Sequence, residues 1–234
     1  TASREIPETV YLVQPHPQVS AQIAQVMVYF RGPDAAVNGE DTCIADAWGS
    51  LISSPSGTFK KTMLSNSSFA IPDPGYLSIG YITSRSHGII QSVAIMLAPE
   101  QMMAQRAAYF AQVLSEDIAQ SIAENPSFFS EDEYKKLSAS MNDSVIIRSE
   151  KPDTFFANLR FWWAVADTEY YFNYDSAVAS ASQQQIAQFA SDYLLHKPAL
   201  VVVLVNPELY AQQRSEYEQL GYKEITADSA FWWK

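Results

Sequence analysis

Seven consecutive apolar residues, Ala199-Leu200-Val201-Val202-Val203-Leu204-Val205, constrain the fold of this chain more than any other segment. Valine favours extended backbone, and a run with no alternation has no polar side to turn toward water. The segment is therefore expected to be a strand buried on both faces. It is far shorter than the ~20 residues needed to cross a bilayer, so a protein core must bury it. At 234 residues the chain can build such a core without covalent staples. Its one cysteine, Cys43, excludes an internal disulfide scaffold in any case.

The periodicity on either side of that run changes in an ordered way. Residues Gln22 to Phe30 read as a strand entering the turn Gly32-Pro33-Asp34. From Asp41, a candidate cap, the pattern becomes helical, with Ile44, Ala47, Trp48, Leu51 and Ile52 on one face. Ser54-Pro55-Ser56-Gly57 breaks that helix, and a shorter one follows with Phe59, Met63 and Leu64 apolar. Tyr76 to Thr83 and Gly88 to Leu97 form two strands joined by the loop Ser84-Arg85-Ser86-His87. Pro99 opens the longest helix, which runs to about Glu124 and ends at Asn125-Pro126. Ser130 with Glu133 and Ser182 with Gln185 are capping boxes that start further helices. Between them lies an aromatic helix carrying Phe155, Leu159, Trp162 and Ala166. A helix from Glu208 to Leu220 and a short strand over Lys223 to Thr226 complete the pattern. No linker or repeat divides the chain. The expected fold is α+β, a single two-layer domain with a mostly antiparallel sheet and helices packed on one side.

Charge narrows the partners. Acidic residues number 26 and basic residues 15, a net charge of −11, which repels phosphate backbones and anionic lipid. Nucleic acid and membrane insertion are therefore not expected. The opening Thr1-Ala2-Ser3-Arg4-Glu5 lacks an apolar signal segment, so the chain reads as a processed product or an excised piece, soluble, in a periplasm or cytoplasm if bacterial.

Most catalytic signatures are missing. The eight glycines form neither a P-loop nor a dinucleotide fingerprint, and no nucleophile elbow exists. His16, His87 and His196 each stand alone in sequence, in settings that suit surface or capping roles. Cys43 falls within an apolar helical pattern, where a buried inert thiol is the expected state. Glu131-Asp132-Glu133 sits on a first helical turn, where negative charge complements the helix dipole.

The aromatic load is unusual. Phe155, Phe156, Phe161, Trp162, Trp163, Tyr170, Tyr171, Phe172 and Tyr174 crowd one stretch. Phe156 and Trp163 point away from the Phe155/Leu159/Trp162 stripe. A second apolar face suits either a thick core or a surface for peptide or another domain. Phe156, Trp163, Tyr170 and Tyr171, with Phe231, Trp232 and Trp233 at the tail, are the candidate peptide or domain-interface surface.

The order of these elements resembles the non-catalytic domain of the M16 (pitrilysin, insulysin and mitochondrial processing peptidase) metallopeptidase family. Gln25 to Asp34 resembles the family's first core strand and its turn, and Ser56-Gly57-Thr58-Phe59-Lys60-Lys61 its short-helix start. The hairpin followed by Pro99-Glu100-Gln101 fits as well. So does Ser182 to Leu194 followed by the valine strand and Asn206-Pro207. The resemblance implies an M16 metallopeptidase-like fold over residues 1–234 as one inactive-type domain, with a core at about 20–210 and an extension at 211–234.

Departures from the family pattern shape the functional expectation. On the helix where catalytic relatives carry His-x-x-Glu-His, this chain reads Cys43-Ile44-Ala45-Asp46-Ala47-Trp48-Gly49-Ser50-Leu51, with no imidazole and one carboxylate. Where non-catalytic domains of active relatives present an arginine and a tyrosine, it has Leu64 and Ile71, or Met63 and Ala70 one register away. No catalytic or metal-binding residue is expected in this chain, which by itself should hydrolyse no peptide. The resemblance implies zinc only in a separate catalytic domain or subunit of a zinc metalloendopeptidase. This domain would then wall a peptide-enclosing chamber and dock to that partner, and its acidic surface would favour basic peptides. The alternative is a non-enzymatic scaffold or assembly subunit that retains only the M16 fold.

Overall fold

Six strands form one mixed sheet in a computed structural model that describes residues 6–98, 102–226 and 229. The elements are β1 (Val10–Pro15), β2 (Ile23–Arg31), α1 (Gly39–Ile52), α2 (Thr58–Ser65), β3 (Leu77–Ile82), β4 (Ile89–Leu97) and α3 (Met103–Val113). Then come α4 (Ala119–Glu124), α5 (Glu131–Ser149), α6 (Pro152–Val165), α7 (Thr168–Ala179), α8 (Gln183–Tyr193), β5 (Leu200–Val205), α9 (Pro207–Gln219) and β6 (Lys223–Glu224). The sheet order is β3-β4-β2-β5-β1-β6. The pairings of β3 with β4, β4 with β2 and β2 with β5 are antiparallel; those of β1 with β5 and β6 are parallel.

The apolar run of β5 lies between β2 and β1, which explains its composition. Val201, Val203 and Val205 are fully buried on the helical side, beside Ala24, Val26 and Val28 of β2. On the opposite face Val202 is buried, while Leu200 and Leu204 remain half-buried. The run is thus sealed on one face and only partly covered on the other.

The strand that sequence periodicity overlooks is β1. It pairs with β5 along its full length, from Val10 opposite Leu200 to Pro15 opposite Val205. Tyr222 follows α9 and packs its ring on Tyr11 and Tyr217, whose centroids lie 5.0 and 5.2 Å away. Among the described residues, β1 and β6 therefore extend the same sheet, and Tyr217 and Tyr222 belong to the core.

Helix starts follow local chemistry. Both capping boxes form: Ser130 and Ser182 accept from the backbone N–H groups of Glu133 and Gln185, whose side chains accept in return. Replacing Ser182 with alanine is expected to cost about 1 kcal/mol, read from the urea midpoint, because it exposes an orphan helix donor without disturbing the core. The first helix starts two residues earlier than Asp41, after Asn38, so Asp41 sits in its first turn rather than at its cap. Its carboxylate accepts instead from the Tyr193 hydroxyl at 2.7 Å. Pro99 lies outside the described residues. Beyond it, α3 and α4 are joined by a π-helical turn over Leu114–Ile118. There the Ser115 carbonyl accepts from the His196 N–H at 3.0 Å, which ties this helix to the end of α8.

Candidate functional site

Cys43, Asp46 and Ala47 share one face of α1, being three and four residues apart. That face meets α7. Asp167 caps α7 by accepting from the Tyr170 N–H at 2.7 Å, which sets the phase of the helix. Tyr170 and Tyr174, one turn apart, are then aimed at α1. The Cys43 thiol donates to the Tyr170 hydroxyl at 3.2 Å, and the Tyr174 hydroxyl donates to Asp46 Oδ2 at 2.9 Å. Thr83, at the end of β3, donates more weakly to the same oxygen at 3.5 Å. Trp162 of α6 lies across both tyrosines, with ring centroids 4.8 and 4.7 Å apart, and is itself buried.

This plug governs the electrostatics. Burial pushes the Asp46 carboxyl up to about 6, against the opposing pull of hydrogen bonds from Tyr174 and Thr83. Burial also pushes the Cys43 thiol up, and the nearby Asp46 and Glu40 carboxylates add to that shift. Tyr170 and Tyr174 are raised as well, chiefly by burial. Cys43 and Asp46, the potential donors on this face of α1, are therefore held toward their protonated forms and already engaged by phenols. A zinc ion needs three or four deprotonated ligands, and Ala47 supplies none. These residues do not fit zinc. Among the described residues no group of three or more His, Cys, Asp or Glu side chains could share a metal ion.

The positions where relatives of the resembled family place an arginine and a tyrosine offer no polar group either. Met63 and Ile71 are buried, and Leu64 and Ala70 half-buried. The three histidines lie in three different loops. His16 follows β1, His87 lies in the β3–β4 loop, and His196 follows α8.

The aromatic stretch divides into two parts. Asp167 starts a second helix there, so the stretch is a pair of helices, α6 and α7, not one helix and a tail. Trp163 and Phe156 are 69% and 56% exposed, and Phe161 and Phe172 are exposed beside them. A ladder of edge-to-face contacts, Phe156–Phe155–Tyr171–Phe172, joins the two helices. Tyr171 is buried within that ladder, and Tyr170 is half-buried and turned to Cys43. Val145, Ile146 and Ile147 are exposed near the end of the neighbouring α5. Phe231, Trp232 and Trp233 lie outside the described residues. Sequence reasoning singled out neither Asp46 nor Tyr174 as a pair. The available signal was one carboxylate on an otherwise apolar helix face, with tyrosines four apart elsewhere.

No protein-family profile matches the chain, and no curated protein sequence matches it. Solved structures do. A protease from Helicobacter pylori superposes with a TM-score of 0.64 at 11% identity, covering 87% of this chain and 46% of its own. The inactive peptidase domain of a candidate zinc protease from Bordetella parapertussis gives 0.63 at 15% identity, covering 81% of this chain and 94% of its own. A peptidase M16 inactive domain from Pseudomonas fluorescens gives 0.58 at 11% identity, covering 88% and 47%. The chain thus spans about half the length of the Helicobacter and Pseudomonas chains. With its single mixed sheet and its tyrosine-plugged first helix, this chain has the fold of M16-type peptidase domains, including domains described as inactive.

Proposed function

We propose that this chain is the non-catalytic half of an M16-type zinc metallopeptidase, walling part of a peptide-enclosing chamber and docking to a separate zinc-bearing domain or subunit. The observation that carries this reading is the plug on α1. Cys43 and Asp46 occupy the face that would hold zinc in a catalytic domain, and Tyr170, Tyr174 and Trp162 fill the space beside it. The exposed rings of Phe156 and Trp163 supply apolar area for the partner or for peptide. The acidic net charge favours basic peptides by field alone.

Mixing the chain with the zinc-bearing domain of the same parent protein tests the proposal. Cleavage of a fluorogenic peptide is expected from the mixture and from neither component alone. Replacing Phe156 and Trp163 together with serine is expected to weaken association by about ten-fold or more, because large exposed aromatics are the usual anchors of such contacts. A second reading, an assembly subunit that keeps only the fold, is favoured by the apolar pair, Leu64 with Ile71 or Met63 with Ala70, where a substrate-contacting pair would sit. Association without any gain in cleavage would select that reading and reject the first.

A further inference from the structure

At one end of the sheet lies a cavity of about 560 Å³. Its floor is formed by Tyr29 and Arg31 of β2 with Ile89 of β4 and Leu200 of β5. Register makes these neighbours: Tyr29 is opposite Leu200 and Arg31 opposite Ile89. One wall is the β3–β4 loop with His87, and the other is the Lys197-Pro198 turn after α8.

The charged groups lining it are not equivalent. The Arg31 guanidinium is anchored to the loop, donating to the Gly32 and Gly88 carbonyls and to the Asp34 carboxylate, which offsets its charge. It is a strut that fixes the loop mouth. Gly88 is part of the same lock, since a Cβ there would sit 1.9 Å from the Pro33 carbonyl oxygen. Asp192, on the rim, accepts from Gln188 one turn back along α8 at 2.9 Å. Lys197 is exposed and has no ion pair among the described residues. His87 is also exposed and, among the described residues, makes no side-chain hydrogen bond. Its backbone is left-handed at φ 66°, and so is that of His196, the residue before Lys197, at φ 55°. Histidine is among the side-chain-bearing residues that occupy this region most readily, which suits both to tight turns.

We infer that this cavity binds a carboxylate carried next to an apolar group, as the C-terminal residue of a peptide presents it. Lys197 and His87 come from two different walls and supply cationic or N–H donors for the carboxylate. Ile89, Leu200, Pro198 and the Tyr29 ring supply the apolar side. Among the described residues, Lys197 places a cation without an ion pair beside this apolar lining in a chain with a net charge of −11, with His87 as a second N–H donor across the cavity and the Asp192 carboxylate confined to the rim. The choice of a peptide over another amphiphilic acid rests on the proposed chamber function.

Titration of the full chain with N-acetyl-Ala-Leu, its C-terminal amide and octanoate, followed by calorimetry or ligand-observed NMR, tests the inference without any zinc-bearing partner. The free-acid dipeptide is expected to bind at least about five-fold more tightly than the amide, the scale of a partly exposed charge pair. Lys197→Gln is expected to remove that preference, and Lys197→Arg to retain it. Equal binding of acid and amide, no binding of either up to about 10 mM, or a preference that survives Lys197→Gln each overturns the site. Octanoate binding as tightly as the dipeptide overturns the peptide assignment. Because no cleavage is measured, these failures are distinct from failure of the chamber reading.

Discussion

Trp48→Ala is expected to destabilise the chain by about 3–5 kcal/mol, whereas Trp48→Phe is expected to fall within about 1 kcal/mol of wild type. Trp48 is completely buried on α1, and its ring packs on Phe189 of α8 with centroids 5.4 Å apart. Removing it leaves a cavity where α1 meets the rest of the helical layer, and a close-packed core collapses only partly around such a void. The indole N–H is a separate matter: it is buried without a hydrogen-bond partner among the described residues. An orphaned donor costs about 1–3 kcal/mol in the folded state. Phenylalanine loses part of the ring's burial and also removes that cost, so the two effects nearly cancel. Urea midpoints at constant slope measure both variants, and the alanine variant should melt roughly 10 °C lower in a chain of this size. A phenylalanine variant as damaged as the alanine one would mean that the indole nitrogen has a partner in solution, and that ring volume is not what matters.

The contrast between Trp48 and its surroundings illustrates what the sequence discloses. Helix face, strand alternation and capping chemistry depend on residues within a turn or two of each other. That is why β2, β4, β5 and both capping boxes are legible, and why Trp48 is placed on the inner face of α1. β1 is harder to read because its six residues end in Pro15 and gain their meaning from β5, nearly 190 residues away. The π-turn in the long helix has no local signal either, since the His196 N–H that the Ser115 carbonyl receives comes from the end of α8. The boundary between α6 and α7 was available in the Asp167 cap but was masked by the continuous aromatic composition. The candidate site was only half legible. That α1 carries no imidazole and only one carboxylate from Cys43 to Leu51 can be read directly, but the plug cannot, because Tyr170 and Tyr174 reach α1 across more than 120 residues of chain. Side-chain direction on α7 decided which aromatics are surface, and that follows from a cap three residues upstream.

Asp46 supplies the sharpest test of the plug. Its folded carboxyl is raised from 3.8 to about 6, chiefly by burial, so folding favours the protonated form. For a raised acid the sign is fixed: the unfolded chain releases this proton first, and stability is lost as pH rises through the folded value. The contribution is fully present below about pH 4 and gone above about pH 7, and a shift of about two units corresponds to about 3 kcal/mol. Asp46→Asn keeps an acceptor for the Tyr174 hydroxyl and cannot ionise. The variant is therefore expected to exceed wild type by up to about 3 kcal/mol near pH 7, with the difference shrinking steadily as pH falls to 4. The neighbouring Cys43, Tyr81, Tyr170 and Tyr174 are all raised and stay neutral across this window, so they do not imitate the effect. Tyr174→Phe acts in the opposite sense. It removes the donor that stabilises the carboxylate, so it should cost about 1–2 kcal/mol at pH 7 and much less at pH 4. Denaturation of the three proteins at pH 4, 5.5 and 7 separates the cases. If the gap between Asp46→Asn and wild type stays constant over that range, the carboxylate is solvated, α7 does not seal α1, and the space beside that helix is open.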